Sequence, residues 1–142
     1  MPQEMTPEAR RAFLAEGART AVVATTRADG RPHAVPVWYG LDGDDILVNI
    51  SGDTVKGKAL RRDRRVTVVV DDDRPPYAFV MVEGEAELVD EPGALRAGSE
   101  VIARHYLDGP AVDGWLAYAT GPGVVLVRIR PTRVVAVDKV GG

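Results

Sequence analysis

Apolar and polar positions alternate with a period of two over much of this chain, and short turn-forming stretches interrupt the alternation. Residues 46–51 show it most cleanly. Ile46, Val48 and Ile50 fall on one side of a strand, and Leu47, Asn49 and Ser51 on the other. The β-branched run 20–27 predicts a strand before this one, and the Ala-Asp-Gly turn at 28–30 joins it to another over 31–41. Strands follow at 66–70 and 77–89. In the latter, Glu83, Glu85 and Glu87 alternate with Val82, Gly84, Ala86 and Leu88, marking one solvated face. Residues 123–130 and 132–138 close the chain as two strands around Pro131.

The helical period appears in fewer places. Thr6 is a suitable cap for a first helix, with Pro7 at its first position, Glu8 in its first turn and Gly17 as its stop. A helix over 53–63 turns Val55, Ala59 and Leu60 inward. A longer one over 91–107 carries Leu95, Ile102 and Tyr106 as its stripe, and 115–118 suggests a further helical turn. About seven strands with short connections and few helices predict a mainly β, α+β fold built on an antiparallel barrel. The expected organisation is one domain over 1–142, with an N-terminal helix in 1–18 and the barrel in 19–138.

Composition narrows the chemistry. The 142 residues include no cysteine, which excludes disulfides, thiolate metal sites and cysteine nucleophiles. The two histidines, His33 and His105, lack metal-ligand spacing, so no metal is expected. No Walker loop, dinucleotide glycine fingerprint or nucleophile-elbow serine is present. A formal net charge of −3 argues against wholesale nucleic-acid binding. The first residues lack a signal-peptide pattern and no apolar run is long enough to span a bilayer, so a cytoplasmic protein with no membrane partner is expected.

Against that acidic background, Lys56, Lys58, Arg61, Arg62, Arg64 and Arg65 concentrate positive charge in one segment with Asp63 as the acid among them. A basic helix start after a strand is suited to a phosphate, through cationic side chains and unpaired backbone N–H groups; a solvated basic helix is the plainer reading. The strand Pro32-His-Ala-Val-Pro36-Val-Trp38 contains a proline that cannot donate a ladder hydrogen bond. Pro36 therefore belongs at an edge, a bulge or an opening, where a flat ligand could meet the backbone. Trp38 reads either as core or as a stacking platform.

Taken in order, the motifs resemble a known family. They are Gly-Arg-Pro-His-Ala-Val-Pro-Val-Trp-Tyr over 30–39, Thr-Val-Lys-Gly-Lys-Ala-Leu-Arg-Arg over 54–62, Arg-Pro-Pro-Tyr-Ala-Phe-Val-Met-Val-Glu-Gly over 74–84, and Val-Arg-Ile-Arg-Pro-Thr-Arg-Val-Val over 127–135. The set, spanning 20–137, is similar to the flavin/deazaflavin oxidoreductases with the pyridoxamine 5'-phosphate oxidase-like split barrel. Within them it is most like the small branch that uses coenzyme F-420.

The resemblance implies an FMN-binding-type split barrel and a homodimer with cofactor grooves at the subunit interface. By position it implies Lys56 and Lys58 on the cofactor phosphate, with Asn49 and Ser51 near the tail. His33, Ala34, Val35, Pro36, Val37 and Trp38 would line the ring, with Pro36 close to its reactive edge, and Tyr77 and Trp115 would reach the partner subunit's site. Two positions depart from the family pattern, which often has Arg at the place of Lys58 and Asn at that of Ala59. The true pyridoxamine-phosphate oxidases carry an extended C-terminal substrate segment rich in Arg and Trp. The sequence ends at Gly142 without one, so vitamin B6 oxidation is not expected.

The function implied is hydride transfer from reduced F-420 to a small-molecule, conjugated organic acceptor, with no protein nucleophile required. The surplus of basic residues favours F-420, a long polyanion with an oligoglutamate tail, over FMN, which needs a compact phosphate site. An FMN-dependent reductase or oxidase and a non-catalytic F-420 carrier are the alternatives. A heme-handling barrel is disfavoured, because neither histidine has the context of an axial ligand.

Overall fold

The computed structural model describes residues 1–141. Eight strands and four helices follow one another as β1 (Gln3–Glu4), α1 (Pro7–Ala15), β2 (Ala21–Thr26), β3 (Pro32–Val37), β4 (Gly40–Asp42), β5 (Asp45–Ser51), α2 (Val55–Arg62), β6 (Arg65–Asp72), β7 (Ala78–Val89), α3 (Pro92–Tyr106), α4 (Pro110–Ala119) and β8 (Val124–Asp138). Every pairing is antiparallel, in the order β3-β2-β6-β7-β8-β5-β4, with β1 added to β8.

That order dictates the shape. The edge strands β3 and β4 are consecutive in the chain, joined by Trp38 and Tyr39 alone. Laid flat, seven strands would hold their edges about 29 Å apart. Two linking residues reach about 11 Å at most. The sheet must therefore curl until its edges meet, giving a barrel that is open where β3 and β4 part. The α+β antiparallel split barrel expected from the sequence is the fold observed.

The barrel interior is aliphatic: Val23, Val48, Val68, Val70, Val80, Val127 and Ile129 are all essentially inaccessible. Tyr39 at the split is also fully buried, and burial pushes its hydroxyl well above the usual tyrosine range. Its hydroxyl donates to the Leu14 carbonyl at 2.6 Å, while its amide donates to the Tyr106 hydroxyl at 3.0 Å. The split is thus fastened to both α1 and α3.

Outside the barrel, α3 packs Leu95 and Ile102 onto Leu47 and Leu126. Gly98 permits this approach, since a Cβ there would lie 2.3 Å from a Leu126 methyl. No helix among the described residues is long and apolar enough to cross a membrane.

Three elements differ from the sequence expectation. The strand expected over 31–41 is two strands, because the chain leaves the β2 edge at Val37 and joins β5 from Gly40. The two strands expected around Pro131 are one, β8, with a bulge opposite Glu83 and Gly84. Val125, Val127 and Ile129 face inward before the bulge, and Val134 and Ala136 after it. The extra residue changes the parity of the alternation and so imitates a strand break. The turn at 115–118 is part of the ten-residue α4, which buries Val112, Leu116 and Ala119. The two-residue β1 was not anticipated.

Candidate functional site

At the open side of the barrel, four elements enclose a groove of about 420 Å³. The end of β3 and the split contribute Pro36, Val37 and Trp38. The end of β5 contributes Asn49 and Ser51, the start of α2 contributes Thr54 and Lys56, and α4 contributes Trp115 and Tyr118. Pro36 lies on an edge strand, as a residue without an N–H should.

The turn from β5 into α2 is built to bring the basic helix up to this groove. The Ser51 carbonyl accepts from both the amide (3.2 Å) and the hydroxyl (2.7 Å) of Thr54, and Thr54 Oγ1 in turn accepts from the Gly57 amide at 3.2 Å. The remaining first-turn amides, of Val55 and Lys56, have no carbonyl one turn back to bond. Gly57 sits where a Cβ would fall 2.5 Å from the Ser51 carbonyl oxygen and 2.8 Å from Gly52 backbone atoms. Ala favours a helix over Gly by about 1 kcal/mol. The overlap is with backbone and costs more, about 1–3 kcal/mol. Gly57→Ala is therefore expected to lower stability in a thermal melt and to tilt α2 away from the groove.

Lys56 is the cation of the groove. It is partly exposed and forms no ion pair with any described residue, and burial lowers its ammonium below the usual lysine range. Lys58 points elsewhere. It is exposed, lies outside the groove lining, and helps to hold down the Asp53 carboxyl, whose main support is the Ser51 hydroxyl. Arg61, Arg62 and Arg64 also form no ion pair among the described residues, although Arg62 donates to the Thr26 carbonyl at 3.3 Å. Arg61 lies against Gly52 and lines a second recess that shares Val124 with the groove. Arg65 is committed to Asp63 at 2.8 Å and holds that carboxyl down to about 2, so the surplus basic charge is smaller than the sequence suggested.

The aromatic wall is internally packed. Trp38 stacks on Tyr106 with ring centroids 4.5 Å apart and meets Trp115 at 4.8 Å; Trp115 meets Tyr118 at 5.3 Å. Packed against both Tyr106 and Trp115, Trp38 is part of a wall more than a free stacking platform. Asn49 is oriented by donating to the buried Ser99 hydroxyl at 3.0 Å, which leaves its Oδ1 without a partner; Trp115 Nε1 also has none.

Seven of the expected site residues thus meet in one groove: Pro36, Val37, Trp38, Asn49, Ser51, Lys56 and Trp115. Trp115 stands there beside Trp38 of its own chain. His33, Ala34 and Val35 lie farther along β3, opposite Thr25, Ala24 and Val23, outside the lining. Tyr77 is exposed near Pro76 and Lys139. Thr54 and Tyr118 were missed as lining residues. Tyr118 follows Trp115 at helical spacing, a signal that counts only once 110–119 is read as helix. Among the described residues no group of three or more His, Asp or Glu side chains is placed to hold a metal ion.

Comparison with known proteins fits this architecture. A family model described as pyridoxamine 5'-phosphate oxidase matches residues 6–138. A conserved hypothetical protein of Mycobacterium tuberculosis is similar at 28% identity and a TM-score of 0.82, over 96% of this chain and 87% of that one. A structure described as an F420 reductase is similar at 24% identity and a TM-score of 0.66, over 87% of this chain and 94% of that one. An FAD-binding protein of Mesorhizobium loti is similar at 23% identity and a TM-score of 0.69, over 96% of both chains. The likeness to the last two is one of fold.

Proposed function

Because the chain belongs to the pyridoxamine 5'-phosphate oxidase family, we propose that it is a coenzyme F-420-dependent oxidoreductase, reducing a conjugated organic acceptor. The observation that carries this reading is Lys56, a partly buried ammonium without a carboxylate partner at a helix start that opens on the groove. A cation so placed is stabilised by an anionic ligand. The donor set fits a phosphodiester: the Lys56 ammonium and the free amides of Val55 and Lys56 in the first turn of α2.

Bound there, reduced F-420 supplies a hydride to the acceptor. The protein's residues bind and orient. Lys56 neutralises the phosphate, Pro36 and Val37 present the strand edge to a flat ring, and Trp38 with Trp115 forms a rigid wall that keeps water from that side. A proton for the acceptor would come from solvent or from Tyr118, which lines the groove; His33 lies outside the lining.

Three unpaired arginines, Arg61, Arg62 and Arg64, continue the positive charge along α2 and beyond it, which supports a ligand with a long anionic tail over FMN. The F420 reductase among the fold neighbours points the same way. Lys58, outside the lining, has a lesser role in this account. Lys58→Ala should change F-420 affinity by no more than about fivefold, as an exposed charge worth about 0–1 kcal/mol would.

The protein is proposed to act as a homodimer. On the outer side of the sheet, Pro36, Val22, Val69, Met81 and Val135 stand opposite one another on five successive strands. They form an apolar row that neither α3 nor α4 covers, and Pro36, which lines the groove, is at its end. A second copy of the chain is the occupant that would bury this row and place the groove near the interface. Oxidation of reduced F-420, followed by its absorbance with a panel of conjugated acceptors, tests the activity. Acceptor-dependent turnover is expected; tight binding without turnover would make the protein a carrier.

A further inference from the structure

A larger cavity, of about 600 Å³, opens at the other end of β5 from the groove. The two share no lining residue, and Ile46 at one is about 13 Å along the strand from Ile50 at the other. Its floor is apolar, made by Leu14, Leu41, Ile46, Val82 and Val134, which belong to the barrel core or pack against it. Its rim is cationic. Arg10 and Arg11 come from α1, and the β8 bulge brings Arg130 and Arg133 to the same rim.

The two acids that line this rim are paired. Asp44 pairs with Arg11 at 3.3 Å, and Asp45 with Arg128 at 3.0 Å, a guanidinium it shares with Asp42 at 2.9 Å, while Arg130 is held by Glu87. Arg10 and Arg133 form no ion pair among the described residues. Two uncommitted guanidinium groups over an aliphatic floor are complementary to a molecule with one anionic end and one apolar end.

We propose that this cavity is a second binding site, separate from the cofactor groove, for a small amphiphilic carboxylate. The carboxylate is held by Arg10 and Arg133, and the acyl or aryl body rests on Leu14, Leu41 and Val134. Neither half suffices: exposed arginines hold a hydrophilic anion weakly, and an open apolar floor holds a neutral chain weakly.

Calorimetry with decanoate, decanol and acetate tests this directly. Decanoate should bind with one site per chain, and decanol and acetate at least about tenfold more weakly. The double variant Arg10→Ala/Arg133→Ala should weaken decanoate by about tenfold or more, while Lys56→Ala should leave it unchanged. In methyl NMR of the unsubstituted protein, decanoate should move the signals of Leu14, Leu41 and Val134 and leave the tryptophan indoles of the groove in place. Absence of decanoate binding would overturn the proposal. So would binding that is indifferent to the two arginines, or that is lost in Lys56→Ala with the indoles shifted. The last result would place the ligand in the cofactor groove.

Discussion

Replacing Lys56 by alanine is expected to weaken F-420 binding roughly 10- to 150-fold, the range of a charge-assisted hydrogen bond worth about 1.5–3 kcal/mol. The expectation rests on asymmetry between two lysines that look equivalent in sequence. Lys56 is in the groove with its ammonium lowered by desolvation, and Lys58 is on the solvent side beside Asp53. Without ligand, Lys56 carries an uncompensated charge, so an anion that binds the folded chain should also stabilise it. Phosphate or pyrophosphate should therefore raise the melting temperature of the unsubstituted protein and of Lys58→Ala, and do so much less for Lys56→Ala. Equal losses of F-420 affinity in the two single variants would show that the helix acts as a diffuse basic surface.

The second large effect is expected at the apolar row. Val69 faces away from the barrel interior, between Val22 and Met81, so Val69→Asp should leave the fold of the chain intact. In a dimer built on this face it would bury an unpaired carboxylate at a cost of several kcal/mol, raising the dimer dissociation constant by more than about 100-fold. Light scattering should then give twice the 15.2 kDa chain mass for the unsubstituted protein and the single mass for the variant. If the groove is completed by the partner, F-420 affinity should fall with the dimer. An unsubstituted protein that is monomeric at micromolar concentration and still binds F-420 would remove both claims.

The sequence carried the strands and the phosphate-site helix because their signals are local. Alternation in 46–51, the Thr6 cap and the turn glycine Gly30, at positive φ, act within a few residues. What it did not carry depends on partners distant along the chain. Tyr39 lies in the link between two strands, held there by Leu14 and Tyr106, and no local pattern encodes those contacts. The parity change at the β8 bulge has the same appearance in sequence as a loop. The order of motifs pointed to Pro36, Trp38 and Lys56, which the fold brings into one groove, yet spacing alone could not show that Lys58 and His33 lie outside its lining. At i and i+2 the two lysines lie on opposite sides of the helix, and how Gly57 docks it on Ser51 and Gly52 decides which of them meets the groove.

The central claim is that the groove and the unpaired basic residues of α2 and its flank hold a deazaflavin with an anionic tail. Equilibrium titration of the purified protein with FMN and with F-420 of short and long tails, at low and high salt, tests it most directly. The account predicts that F-420 binds more tightly than FMN. The long-tailed form should bind most tightly at low salt, and its advantage should shrink as salt screens Arg61, Arg62 and Arg64. FMN binding as tightly as F-420 at low salt, with no effect of tail length, would contradict it and make the protein an FMN-dependent member of the family.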